Sequence, residues 1–151
     1  MKRFILFAAA MGIGVTAATA EPVSPMQVVF TDGAVEESLT GVAGDPVAGR
    51  DVFANRKLGN CLACHMNEDW SEQSFHGEVG PPMDGVAERW SAAELRGIVA
   101  NSKEMFPNTI MPSFYRDAGY TRTLEKFEGK TILSAQQVED VVAYLQTLTY
   151  E

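Results

Sequence analysis

Cys61-Leu62-Ala63-Cys64-His65 is the stretch that decides how this 151-residue chain is read. Two thiols separated by two residues on a helical turn reach both vinyl groups of one porphyrin and form two thioethers. The histidine that follows then lies beneath the iron and can coordinate it. This C-x-x-C-H spacing is the attachment motif of a c-type haem. A thioredoxin-like dithiol would place Cys61 and Cys64 after a strand in a βαβ context, whereas the flanks here read as helical and acidic. A zinc site would need four ligands, and the only other histidine is His76, with no further cysteine. A chance match in a secreted chain is the remaining alternative.

Working outward, Asp45 as N-cap and Pro46 at the first helical position predict a helix running toward Lys57 and ended by Gly59. After the motif, residues 66–89 are rich in acids, with Gly77, Gly80, Pro81 and Pro82, and read as loop. Ser91 and Glu94 form a capping box for a helix to about Asn101. Pro107 and Pro112 then break the chain into a loop that carries Met105 and Met111. Ser134 and Gln137 open the last helix, where Val138, Val141, Val142, Leu145 and Leu148 give one apolar stripe. Gly49, Phe53 and Tyr144 mark the place where the first and last helices cross. Three helices joined by long loops make a poor core alone, so the loops need a buried group to wrap around.

A haem iron also needs a ligand on its other face. Met66 adjoins the proximal histidine and cannot reach that face. Met83 follows Gly80-Pro81-Pro82, a turn whose carbonyl can hold the His65 Nδ1–H, and its side chain reads as packing. Met111, in Thr109-Ile110-Met111-Pro112, lies beyond the middle helix, where the chain can cross the ring, and the following proline discourages helix. His76, Met105 and an open site are the alternatives. A thioether ligand favours ferrous iron and raises the potential relative to two histidines. Iron closed on both faces moves single electrons. Trp90 reads as pocket lining or core, His76 as a loop histidine, and the basic residues Arg116, Arg122, Lys126 and Lys130 as a loop that solubilises or offsets propionate charge.

The ends and the composition place the protein. Lys2 and Arg3, then apolar and small residues from Phe4, then Ala18-Thr19-Ala20, follow the pattern of a signal peptide cleaved after Ala20, which implies the periplasm. The uncharged run Phe4–Ala20 is 17 residues, short of the roughly 20 that span a bilayer, so no stable membrane insertion is expected. Residues 21–44 read as an extended arm with a short strand at Gln27–Phe30, and residues 45–151 as the cytochrome domain. The whole chain has 12 basic and 20 acidic side chains, a formal −8, and without Lys2 and Arg3 the balance is −10. A nucleic-acid-binding protein needs a basic face, so that class is excluded.

The order helix, C-x-x-C-H, Gly-Pro-Pro, helix, Met-Pro, helix resembles the class I cytochromes c across about residues 45–150. Gly59–His65, Val79-Gly80-Pro81-Pro82 and Met111–Arg116, with Phe127–Gln136 and Val141–Leu145, are similar to the monohaem SoxX subunits of sulfur oxidation. The resemblance implies a mostly α fold, about three to five helices wrapped around one covalently bound haem c. It implies haem attachment at Cys61 and Cys64 and axial ligation by His65 and Met111. It also implies a heterodimer with a SoxA-like cytochrome that holds the reactive cysteine. That complex, an L-cysteine S-thiosulfotransferase, couples thiosulfate oxidatively to a carrier-protein cysteine. The present chain, with no catalytic residue of its own, would pass electrons to a downstream cytochrome. A free-standing cytochrome c of another respiratory or photosynthetic chain is the alternative, and a haem sensor or enzyme with a displaceable methionine is a third.

Overall fold

The computed structural model describes residues 21–150. The expected signal peptide over residues 1–20 lies outside the described residues. Among the described residues four α-helices carry the fold: α1 at Pro46–Ala54, α2 at Val86–Arg89, α3 at Ala92–Asn101 and α4 at Ala135–Leu145. Among the described residues there is no strand, and the only extended pairing is one antiparallel bridge between Thr31 and Ala34. The architecture is mostly α, as the resemblance implies. No helix among the described residues is long and apolar enough to cross a membrane.

The helix starts are written in the sequence. Asp45 Oδ1 accepts from Val47 N at 2.8 Å, with Pro46 following it. Ser91 Oγ accepts from Glu94 N at 3.2 Å while the Glu94 carboxylate accepts from Ser91 N at 2.8 Å. Ser134 and Gln137 repeat the exchange at 3.2 and 2.9 Å. Each such cap satisfies donors that the first helical turn leaves unpaired.

The end of α1 differs from expectation. It stops at Ala54, short of Lys57, because Asn55 turns the chain. The Asn55 side chain accepts from Lys57 N at 2.9 Å, and its carbonyl accepts from Leu58 N and Asn60 N, both at 3.0 Å. A short polar side chain that bonds its own backbone in this way competes with helix. The 66–89 segment is not all loop either. It holds a 3-10 turn at Glu68–Trp70 and the single turn α2, too short to show a helical repeat in sequence.

Helices α1 and α4 cross in close contact. A Cβ built on Gly49 would lie 1.9 Å from the Asp140 carbonyl oxygen and 2.9 Å from Tyr144 Cβ. Phe53 meets the Tyr144 ring edge-on, centroids 5.5 Å apart. Val138, Val141, Val142, Leu145 and Leu148 are all buried. Each such side chain contributes about 1.5–3 kcal/mol of burial free energy.

Residues 21–44 lie along α3 and α4. Val35 and Leu39 are buried, and Tyr115 Oη donates to the Val23 carbonyl at 2.6 Å. Glu139 on α4 accepts from Leu39 N at 2.7 Å and pairs with Arg96 on α3 through two bonds of 2.9 and 3.1 Å. Arg96 also donates to the Val35 carbonyl at 2.8 Å. The short strand expected at 27–30 does not form. Pro25–Gln27 is a 3-10 turn, and Asp32 and Gly33 take φ of 51° and 85° to close a tight reversal.

Candidate functional site

The cysteine motif sits on one turn of helix. Cys61–Ala63 is a 3-10 turn, Cys64 N donates to the Cys61 carbonyl at 3.0 Å, and His65 N donates to the same oxygen at 2.9 Å. That turn puts Cys61, Cys64 and His65 on one short arc, each half-buried, with the two thiols not joined to each other. Burial pushes the Cys61 thiol up to about 12, and the neighbouring Cys64 adds to the shift. A thiol held neutral in this way is unlike the low-pKa attacking group of a redox dithiol.

The segment after the motif doubles back against it. Gly77 N donates to the Leu62 carbonyl and Gly80 N to the Cys64 carbonyl, both at 2.8 Å. Glycine is required at both contacts. A Cβ on Gly77 would lie 2.0 Å from the Ala63 carbonyl oxygen, and one on Gly80 would lie 2.3 Å from His65 Cε1. The chain then presents the Pro81 carbonyl 2.7 Å from His65 Nδ1. A carbonyl only accepts, so Nδ1 carries a proton and Nε2 is the ring nitrogen left to face a metal. This is the tautomer an iron-ligating imidazole needs, with its ring orientation fixed by the second nitrogen. Two unpaired thiols, a free imidazole Nε2 and a glycine-lined backing fit a covalently attached haem.

The other candidate ligands separate by their surroundings. His76 has both ring nitrogens engaged, Nδ1 accepting from Asn67 N at 3.2 Å and Nε2 facing the Trp70 carbonyl at 3.1 Å. Met83 is buried in the core, and Met66 is 42% exposed beside His65. Met105 backs onto the N-terminal segment, where a Cβ on Gly33 would lie 2.7 Å from Met105 Cβ. Met111 is half-buried against the core, and its carbonyl accepts from Ser102 Oγ at 2.9 Å and from Lys103 Nζ. Trp90 packs edge-on against Phe106, centroids 5.9 Å apart.

A polar network anchors the motif's far side, and nothing in the sequence reading anticipates it. Asn67 is fully buried, and its Nδ2 donates to Tyr144 Oη at 2.9 Å. Tyr144 Oη donates in turn to Asp69 Oδ2 at 2.7 Å. Arg50 on α1 binds Asp69 at 2.8 Å and Glu72 at 2.9 Å, with its guanidinium 3.8 Å over the Trp70 ring. The only available signal was an asparagine two positions beyond the motif, and asparagine is common in exposed loops.

Helices crossing at Gly49, a C-x-x-C-H turn and a carbonyl-held histidine together define a c-type cytochrome. The family model for cytochrome c matches residues 46–149, and the chain belongs to that family. Among solved structures it is similar to SoxXA from P. pantotrophus. The match has 46% sequence identity and a TM-score of 0.81, and covers 85% of this chain and 99% of that one. A comparison with curated proteins finds no match. As a cytochrome c the protein carries a covalently bound haem c with its iron, and electron transfer is the function of that fold and group.

Proposed function

We propose that Cys61 and Cys64 form the thioethers to the haem, that His65 and Met111 are the axial ligands, and that the protein is the monohaem electron-transfer subunit of a SoxAX-type complex. The observation that carries this reading is the 46% identity to SoxXA over 99% of the matched chain. The Pro81–His65 contact supports the proximal assignment, and the engaged nitrogens of His76 favour Met111 on the other side. In this reading the signal peptide is cleaved after Ala20, the arm over 21–44 precedes the cytochrome domain from 45, and the protein works in the periplasm.

The chemistry explains why a carrier is needed. Joining thiosulfate to a carrier-protein cysteine forms one S–S bond and releases one proton from the thiol and two electrons. The haem supplies one-electron redox capacity, so electrons must leave singly for a downstream acceptor. This chain holds the haem, closes the iron on both sides and docks against a SoxA-like partner that carries the reactive sulfur. Purified alone, the protein should accept electrons from small reductants yet show no thiosulfate-dependent turnover with a carrier protein. Adding a SoxA-like subunit should bring turnover. Turnover by the single chain, or none with any SoxA-like partner, would refute the assignment.

A further inference from the structure

The stretch Val99–Lys103, where α3 ends, pairs residue by residue with the loop Met111–Tyr115. Val99 and Ala100 offer carbonyls to Phe114 N at 3.2 Å and Tyr115 N at 3.0 Å. Asn101 Oδ1 accepts from Ser113 Oγ at 2.6 Å. Ser102 Oγ and Lys103 Nζ both donate to the Met111 carbonyl. The backbone pairs are what a helix end demands, since its last carbonyls have no partner inside the helix. The side-chain bonds are not. Three consecutive residues spend their polar groups on the loop, and two of them converge on one carbonyl. That carbonyl precedes Pro112, a residue with no N–H through which the loop could be tied instead. Asn101, Ser102 and Ser113 are all buried, so the Asn101–Ser113 bond forms out of reach of water, and the two bonds to the Met111 carbonyl are part-buried.

We infer that Ser102 and Lys103, with Asn101 holding the same loop at Ser113, are positioning residues for Met111, fixing its backbone so that its thioether stays in place in the oxidised protein. The inference rests on the proposed role of Met111 as the sixth ligand. A thioether is a soft ligand and binds ferric iron weakly. Retention then depends on how little freedom the loop gains when the sulfur lets go, and a loop already ordered by its own bonds gains little. Partners behind a ligand commonly set its hold in this way.

The test uses the haem-loaded protein and imidazole as the competing ligand, followed by loss of the sulfur-to-iron charge-transfer absorption. Ser102→Ala and Lys103→Met should each raise the apparent imidazole affinity of the oxidised protein about fivefold, the usual worth of one hydrogen bond. Lys103→Arg should restore it. Asp45→Ala removes the cap of α1, lowers thermal stability, and should leave imidazole affinity unchanged. Wild-type affinity in Ser102→Ala and Lys103→Met, or an equal rise in Asp45→Ala, would overturn the inference. If Ser102→Ala does not fold, the half-buried Lys103 pair decides the matter. Met111→Ala separates the two readings. Absorption retained there removes the ligand assignment, whereas absorption lost there with no effect at Ser102 and Lys103 removes only the positioning role.

Discussion

Tyr144 Oη donates to Asp69 Oδ2 at 2.7 Å while accepting from Asn67 Nδ2 at 2.9 Å. One hydroxyl thus joins the last helix to the loop that leaves the cysteine motif. Burial opposes the Asp69 charge, but the Tyr144 hydroxyl and the Arg50 guanidinium outweigh it and hold the carboxyl below its usual range. Burial, and then Asp69, push the Tyr144 hydroxyl above its own.

These shifts set a pH window with a definite sign. A depressed Asp69 stabilises the fold above the unfolded carboxyl value, and that contribution fades as pH falls below about 4. A raised Tyr144 stabilises it below the unfolded phenol value, with loss as pH rises above about 10. Asp69 is 43% exposed, so screening keeps its share small. Tyr144→Phe should flatten the alkaline limb of stability against pH. At neutral pH it should cost about 1–3 kcal/mol, because the buried Asn67 amide loses its acceptor. Denaturant titrations at several pH values read both effects.

Covalent attachment makes a direct prediction. The denatured haem-loaded protein should keep its colour and haem mass through acid-acetone extraction, and neither Cys61 nor Cys64 should react with an alkylating reagent. Extractable haem would remove the thioether assignment.

Met111→Ala should abolish the sulfur-to-iron charge-transfer absorption of the oxidised protein and lower its reduction potential, since methionine favours ferrous iron. Spectra and potentiometry of Met105→Ala and His76→Ala should match wild type at the iron.

Gly80→Ala drives a methyl into the His65 ring, where a Cβ would stand 2.3 Å from Cε1. The ring or the Pro81 carbonyl must move. Overpacking of this kind costs about 1–3 kcal/mol. The variant should mature with less haem and show a shifted potential, whereas Gly129→Ala, whose cost is the left-handed backbone (φ 65°) with open space around its Cβ position, should load haem normally.

Much of this molecule is legible in its sequence, for reasons that differ between parts. The caps at Asp45, Ser91 and Ser134 are local, because a side chain three residues from its partner needs no tertiary information. The α1–α4 crossing is legible because Gly49, Phe53 and Tyr144 have sizes that suit a close contact. The carbonyl facing His65 follows from the stiffness of Gly80-Pro81-Pro82. Long-range polar contacts were not readable. Glu139 stands in the middle of an amphipathic helix and looks like a solvated acid, yet it is buried beneath Arg96 and Leu39. Ser102 looks like a helix-end serine, and its bond to Met111 exists only once the loop has returned.

The Arg96–Glu139 pair also bears on the order of folding. Its two charges sit on α3 and α4, and each holds one point of the amino-terminal stretch, the Val35 carbonyl and the Leu39 amide. That stretch gains both holds only once α3 and α4 have met, so it should find its full seat last. Until then one side of the α3–α4 pair stays uncovered, and hydrogen exchange should find the Leu39 amide opening before those of Val141 and Val142.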